Sequence, residues 1–292
     1  YDGTVDALDF MLSTATAPYC PQLARSGNSH CEKQTRRAKT GLNTPFNPFW
    51  DLVDPQRVGL AGHSYGAQGV SYIGQQDPRV KAIVAWDNLC HHNGEVGGQQ
   101  EMLVNRGLPT HCQTGFQLPA PALHTPALGI SSDYLTGPVS PVSGSSLARA
   151  TPSIELSKVG VDSGEIVIRG ATHFEYSYLP AVAFPATLRG IDLSTWYTVA
   201  WFDKYLKKDP TADQRLLTTR WHTDAADAKL DPDGAGNLFS FYYRSRLAIR
   251  RADGQRVVCE DLRNGCAALV NDDGVTGQYR FLDVVTSNDA AP

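Results

Sequence analysis

Four short apolar runs, separated by stretches of helical pattern, constrain the fold of this chain most. The runs are RVGLAG (57–62), AIVAW (82–86), TPALGISSD (125–133) and GEIVIRGATH (164–173). Strands that are almost continuously apolar are typical of a parallel sheet that is buried on both faces. We therefore predict an α/β fold: a mostly parallel sheet with helices on both of its faces.

The C-terminal region follows another pattern. From residue 235 to 292, apolar and polar residues alternate, and Asp253-Gly254 is a typical hairpin turn. This pattern predicts a small antiparallel β appendage, joined to a main domain of residues 1–234 near the turn-rich segment DPDGAGN (231–237). Residues 88–124, rich in His, Gly and Gln, are expected to form an insertion or a lid-like loop.

Composition excludes several partners. The net charge is −4 and no basic stripe is present, so nothing favours nucleic acid as a partner. No apolar run approaches the length that spans a bilayer, so no membrane span is expected. The chain opens on Tyr1 and carries no signal peptide, so we expect a processed or cut chain.

The six cysteines fall into three pairs that are close in sequence: Cys20 with Cys31, Cys90 with Cys112, and Cys259 with Cys266. The sequence does not select one pairing, and six unpaired thiols are the alternative. We favour the local disulfides because each would close a loop rich in Gly, Pro or Asn. An even cysteine count then predicts an oxidising compartment, either secreted or periplasmic.

The segment after the first apolar run has the pattern G-x-S-x-G. Gly62-His63-Ser64-Tyr65-Gly66 lies between a predicted strand and a predicted helix. A serine on such a tight strand-to-helix turn projects above the sheet and can act as a nucleophile. We expect Ser64 to be that nucleophile and the backbone amide of Tyr65 to donate to an oxyanion.

A serine nucleophile requires a base and a group that orients the base. Asp133 and His173 each follow an apolar strand, at the sheet edge where sites form in α/β folds. Their order after Ser64 is the one expected for this architecture. We predict His173 as the base and Asp133 as the acid, with Asp87, at the end of AIVAWD, as the alternative acid. His63 is expected to be structural.

A metal site in the insertion is a weaker alternative. His91, His92 and His111 lie there with Glu95, but no two of these histidines have the spacing of a helical pair. We therefore predict a polar loop at this position, with no metal and no cofactor.

Taken together, the GHSYG segment, Trp86-Asp87, ISSDYLTGPVSP and GATHF resemble the α/β-hydrolase superfamily. Within it they are most similar to the secreted branch of dienelactone hydrolases, cutinases and polyester hydrolases. The resemblance covers about residues 1–208. It implies that residues 1–234 are a catalytic domain for small or polymeric esters and that Trp86 lines the substrate cleft. Core packing is the alternative role for Trp86.

The sequence departs from this resemblance before Ser64. Only 63 residues precede the serine, and they predict one helix and a long loop. The first strands of the sheet and the loop with the second oxyanion donor are therefore expected to be missing. A removed segment or a second chain would supply them, or the sequence is a fragment.

These observations predict a secreted serine hydrolase that cleaves carboxylic esters through an acyl-enzyme. Peptide hydrolysis or acyl transfer by the same three residues is one alternative. A non-enzymatic or inactive fragment, with the C-terminal appendage as a binding module, is the other.

Overall fold

A computed structural model of the chain describes residues 2–21, 30–91, 112, 121–135, 145–176, 188–218 and 238–269. The chain divides into two compact units, Tyr1–Val58 and Gly59–Pro292. We describe each unit by itself.

The first unit is helical in its described part. Helices α1 (Asp2–Met11) and α2 (His30–Lys39) are followed by a short 3-10 helix at Trp50–Leu52. The sequence pattern predicts α1, but it assigns the region of α2 to a loop. The physical reason is that α2 has no buried residue and therefore no apolar face that a pattern could reveal.

The second unit is built on one six-stranded sheet. The strands lie in the order of the sequence, so that β1 and β6 are the edges of the described sheet. Strands β2, β3 and β4 are parallel, with Ile83 opposite Ala127 and Ala127 opposite Ser163. The strands are β1 (Val58–His63), β2 (Val80–Trp86), β3 (Ala127–Tyr134), β4 (Ser163–Thr172), β5 (Arg246–Arg250) and β6 (Arg256–Cys259).

The C-terminal strands are antiparallel, as the alternating pattern predicts, but they extend the main sheet. Strand β5 pairs with β4, with Ala248 opposite Ser163, and β6 pairs with β5. The Asp253-Gly254 turn joins the two strands, and Gly254 has a φ of 86°, which favours glycine. The described part of the predicted appendage is thus continuous with the α/β sheet. Pairing partners of this kind are non-local, and a pattern within one segment does not reveal them.

Helices cover both faces of the sheet. On one face, Ile83 of β2 packs so closely beneath Gly74 of α3 that an added methyl group there would collide with it. Its neighbours on the strand, Ala82 and Val84, point to the other face and join a core cluster with Trp201. The helices that the structure describes in this unit are α3 (Tyr65–Gln76), α4 (Thr151–Lys158), α5 (Leu188–Phe202), a π-helical turn (Asp203–Lys207) and α6 (Ala212–Leu216).

The three predicted disulfides are confirmed. Cys20 pairs with Cys31, Cys90 with Cys112, and Cys259 with Cys266, with Cα atoms 4.6, 4.8 and 5.6 Å apart. The bonded cysteines are 11, 22 and 7 residues apart in the sequence. None of the helices that the structure describes has the length and apolar character needed to cross a bilayer.

Candidate active site

Ser64 occupies a sharp turn between β1 and α3. Its φ of 61° and ψ of −122° lie in a region that residues other than glycine rarely adopt. The Ser64 backbone N–H donates to the Trp86 carbonyl oxygen at 2.9 Å, and its own carbonyl accepts from Ala67 N–H at 2.9 Å. Such strain at a single serine is a common feature of functional sites.

The two glycines of the motif have different roles. A methyl group on Gly62 would collide with the backbone carbonyl of Gly66, so only glycine fits at position 62. A methyl group on Gly66 would meet no atom within 4 Å. The close approach of strand and helix therefore requires Gly62, whereas the described surroundings leave space at Gly66.

His173 directly follows β4, and its ring joins two other side chains. The Nε2 atom lies 2.8 Å from Ser64 Oγ, and Nδ1 lies 2.7 Å from Asp87 Oδ2. The structure thus brings together Ser64 and His173, as expected from their positions after parallel strands. The third member of the chain of contacts is Asp87.

Asp133, the acid that we predicted first, does not contact His173 in this way. Its Oδ2 atom accepts a hydrogen bond from the backbone N–H of Gly170 at 2.7 Å. Neighbouring side chains of a strand point to opposite faces, and Ser132 takes the face of Asp87. Its hydroxyl donates to Asp87 Oδ2 at 2.9 Å. Asp133 therefore points away from His173. The residue that contacts His173 Nδ1 is Asp87, the alternative acid.

The surroundings of Asp87 favour its charged form. The side chain is almost fully buried, which raises the pKa of the carboxyl. The hydrogen bond with His173, the positive charge of Arg149 and the backbone N–H of Ser132 together outweigh this effect and lower the pKa below 3.8. An ionised Asp87 can only accept hydrogen bonds, so the proton between it and His173 belongs to Nδ1.

His63 holds the backbone of His173. Its Nε2 atom lies 2.7 Å from the His173 carbonyl oxygen, and the two ring centroids are 4.6 Å apart. Burial, followed by the nearby charge of His173, lowers the pKa of His63 below 6.5. A neutral His63 therefore donates to the carbonyl through Nε2, which agrees with the structural role that we expected.

Tyr65, the expected oxyanion donor, is the first residue of α3, and its side chain is 72% exposed. The backbone N–H groups in the first turn of a helix have no acceptor within the helix. The position of Tyr65 is therefore one from which a backbone donor can serve a bound anion.

Trp86 ends β2 and lies against α5. Its Nε1 atom donates to Thr198 Oγ1 at 3.1 Å, and its ring packs on the core cluster. It also lines a cavity of about 230 Å³. The other lining residues are Glu175, Tyr176, Ile191, Ser194, Thr195, Thr198 and Val199. Trp86 therefore packs on the core and also faces a cavity, and its role in lining a substrate cleft stays a prediction.

The alternative metal site falls mostly outside the described residues, which include His91 but not His92, Glu95 or His111. Within the described ranges, no group of three or more His, Cys, Asp or Glu side chains is placed to hold a metal ion.

Comparisons with known proteins found no relative of this chain. No protein-family description matches the chain, and no curated protein matches it.

Proposed function

We propose that this chain is a serine hydrolase that cleaves carboxylic esters through an acyl-enzyme. The observation that carries the proposal is the continuous series of contacts from Ser64 Oγ through both ring nitrogens of His173 to Asp87. A serine hydroxyl needs such a base to become a nucleophile at neutral pH.

In the proposed reaction, Ser64 Oγ attacks the acyl carbon while its proton passes to His173 Nε2. The Tyr65 N–H would stabilise the oxyanion that forms. The bond to the alcohol oxygen then breaks, and His173 returns the proton to that oxygen. Water, deprotonated by His173, releases the acid and regenerates Ser64.

Asp87 orients His173 during these steps. Its carboxylate keeps the proton on Nδ1, so that the lone pair of Nε2 faces Ser64, and it stabilises the imidazolium that follows proton transfer. No metal or cofactor takes part in the proposed steps.

The cavity beside Trp86 is a candidate site for the apolar part of the ester. Trp86 lines the cavity with its side chain, and its backbone carbonyl accepts the hydrogen bond of the Ser64 N–H. The cavity volume of about 230 Å³ suits a short acyl or aryl group better than a long chain. We propose small esters as substrates, whereas the sequence left small and polymeric esters equally open.

Three disulfides in the described chain support a secreted or periplasmic location, because disulfides persist in oxidising compartments.

The test is labelling with a fluorophosphonate probe, together with hydrolysis of a short p-nitrophenyl ester. We expect the probe to label Ser64, and Ser64→Ala to abolish both labelling and hydrolysis. Labelling of no serine, or unchanged hydrolysis by Ser64→Ala, would contradict the proposal. Amide substrates and acyl acceptors, assayed in parallel, separate ester hydrolysis from peptide hydrolysis and acyl transfer.

A further inference from the structure

Ser132 of β3 contacts both oxygens of the Asp87 carboxylate. Its backbone N–H donates to Oδ1, with 3.2 Å between the two heavy atoms, and its hydroxyl oxygen lies 2.9 Å from Oδ2. Both residues are buried, with exposed fractions of 0% for Ser132 and 1% for Asp87. Oδ2 is also the atom that lies 2.7 Å from His173 Nδ1. One residue therefore binds both carboxylate oxygens, and His173 shares one of them.

The Ser132 N–H bonds to a side chain at a point where a regular ladder would offer a backbone carbonyl. The Asp87 N–H donates to the Ile130 carbonyl at 2.9 Å, which continues the parallel pairing of β2 with β3. In such a ladder, the next bond would run from the Ser132 N–H to the Asp87 carbonyl. Asp87 has a φ of 44°, so the backbone leaves the strand direction at this residue. Its carboxylate accepts the bond instead, and the end of the ladder thereby fixes the Asp87 side chain.

The Ser132 hydroxyl has one proton and two acceptors within reach. Asp87 Oδ2 lies 2.9 Å from Oγ, and the Tyr134 carbonyl oxygen lies 3.0 Å from it. Burial raises the pKa of Asp87, but its hydrogen bonds and the nearby positive charges lower it below 3.8, so the carboxylate is ionised at neutral pH. An ionised acceptor forms the stronger hydrogen bond. The Ser132 proton therefore belongs to the bond with Asp87.

A carboxylate has a soft torsion about its last carbon–carbon bond, because this torsion has no sharp preferred value. If Asp87 were bound through Oδ2 alone, its carboxylate could rotate and carry Oδ2 away from His173. Two bonds from one buried residue, one to each oxygen, fix the carboxylate plane.

We propose that Ser132 is a positioning residue, which holds the Asp87 carboxylate by both oxygens and so keeps Oδ2 on His173 Nδ1. This inference rests on the proposed function, in which Asp87 sets the tautomer of His173.

The preceding residue, Ser131, provides a matched control. Ser131 is also 0% exposed, and its hydroxyl donates to the carboxyl of Glu165. Neighbouring residues of a strand point to opposite faces, so the two hydroxyls serve different carboxyl groups. Loss of either one removes a buried hydrogen bond, and Ser132 is the one of the two that bonds to Asp87.

The kinetic test is Ser132→Ala, which removes the hydroxyl and keeps the backbone N–H. We expect kcat for a short p-nitrophenyl ester to fall about 10- to 100-fold with little change in KM, because a bond to a charged group is lost. Ser132→Thr keeps a hydroxyl and should recover most of the loss, whereas Ser131→Ala should lower kcat less than about threefold. An unchanged kcat in Ser132→Ala, or an equal loss in Ser131→Ala, would overturn the proposal. Ser132→Cys, with a similar volume and a weak donor, should show the same loss and replaces Ser132→Ala if that variant does not fold.

A second measurement does not depend on turnover. The proton on His173 Nδ1, bonded to a carboxylate, should give a low-field signal in the proton NMR spectrum, assigned by its loss in His173→Ala. We expect Ser132→Ala to shift this signal to higher field or to remove it, and Ser131→Ala to leave it in place. An unshifted signal in Ser132→Ala would overturn the proposal. If the signal moves as expected but the wild-type chain hydrolyses no ester, the proposed reaction fails and the role of Ser132 in holding Asp87 stands.

Discussion

Asp87 Oδ2 lies 2.7 Å from His173 Nδ1, while the carboxylate of Asp133 accepts from the backbone of Gly170. Two aspartates at the C-terminal ends of neighbouring parallel strands thus have different partners. Of these two aspartates, Asp87 is the one in a position to set the tautomer of His173.

Replacement of the two aspartates tests this assignment directly. Asp87→Asn would place a neutral amide against Nδ1 and is expected to lower kcat by about 10³- to 10⁴-fold, as loss of the correct tautomer does in related triads. Asp133→Asn, the matched control, should change kcat less than about tenfold. Steady-state hydrolysis of a short p-nitrophenyl ester measures both. A larger loss in Asp133→Asn than in Asp87→Asn would contradict the assignment.

The two glycines that flank Ser64, Gly62 and Gly66, give a second matched pair. Gly62→Ala forces a methyl group against the Gly66 carbonyl and is expected to destabilise the fold by about 1–3 kcal/mol. Gly66→Ala meets no neighbour and should leave stability unchanged or raise it by about 0.5 kcal/mol. Urea unfolding followed by circular dichroism compares the two. Equal stabilities would show that the turn does not need the close approach at Gly62.

The hydrogen bond from His63 to the His173 carbonyl should matter for rate. His63→Ala removes the donor that holds this backbone, and we expect kcat to fall about 10- to 100-fold with little change in KM. His63→Gln keeps an N–H donor and should recover most of the loss. The readout is kcat and KM for the same ester. Equal losses in the two variants would point to packing of the ring instead of the hydrogen bond.

Glu165 predicts a dependence of stability on pH. Its pKa is raised by burial, so above 4.5 the unfolded chain loses a proton that the folded chain retains. This group therefore contributes a loss of stability as pH rises from 4.5 toward the folded-state pKa. In Glu165→Gln, the free energy of unfolding should fall less steeply over that range. Denaturant titrations at a series of pH values measure the slope, and identical slopes would exclude a raised pKa.

The cavity beside Trp86 predicts substrate size. Val199→Trp would fill part of the cavity and is expected to lower kcat/KM for butyrate and benzoate esters about tenfold relative to acetate. Val258→Trp, at a similarly exposed valine of β6, is the control and should leave the preference unchanged. A series of p-nitrophenyl esters gives the comparison. If Val199→Trp lowers kcat/KM equally for all of the esters, the cavity does not bind the acyl group.

Much of the fold follows from local pattern, because buried parallel strands and amphipathic helices each carry a signal within one segment. The runs that contain Leu128 and Ile166 illustrate this, since both strands lie where the apolar sequence places them. Helix α2 could not be predicted, because it buries no side chain. The pairing of β5 with β4 could not be predicted either, since no local pattern specifies which strands of distant segments become neighbours.

The candidate site could likewise be predicted in part from local sequence pattern. Ser64 and His173 have distinctive positions, one in a glycine-bounded turn and the other directly after a strand. Asp87 and Asp133 carry the same local signal, since each ends an apolar run of the sequence. Only the direction of each side chain separates them, and this direction depends on the register at the irregularity between Ser132 and Tyr134.

The end of β2 has a mechanical consequence. Consecutive residues there hold two parts of the site, because the Trp86 carbonyl binds the Ser64 N–H and the Asp87 carboxylate binds the His173 ring. Thermal displacement of this strand end carries the serine and the aspartate together and preserves their separation. The His173 backbone is held by Leu135, just after β3, and by His63, the residue before Ser64. Heating should therefore move the serine, the aspartate and the histidine as one group, since hydrogen bonds tie each of them to the ends of neighbouring strands.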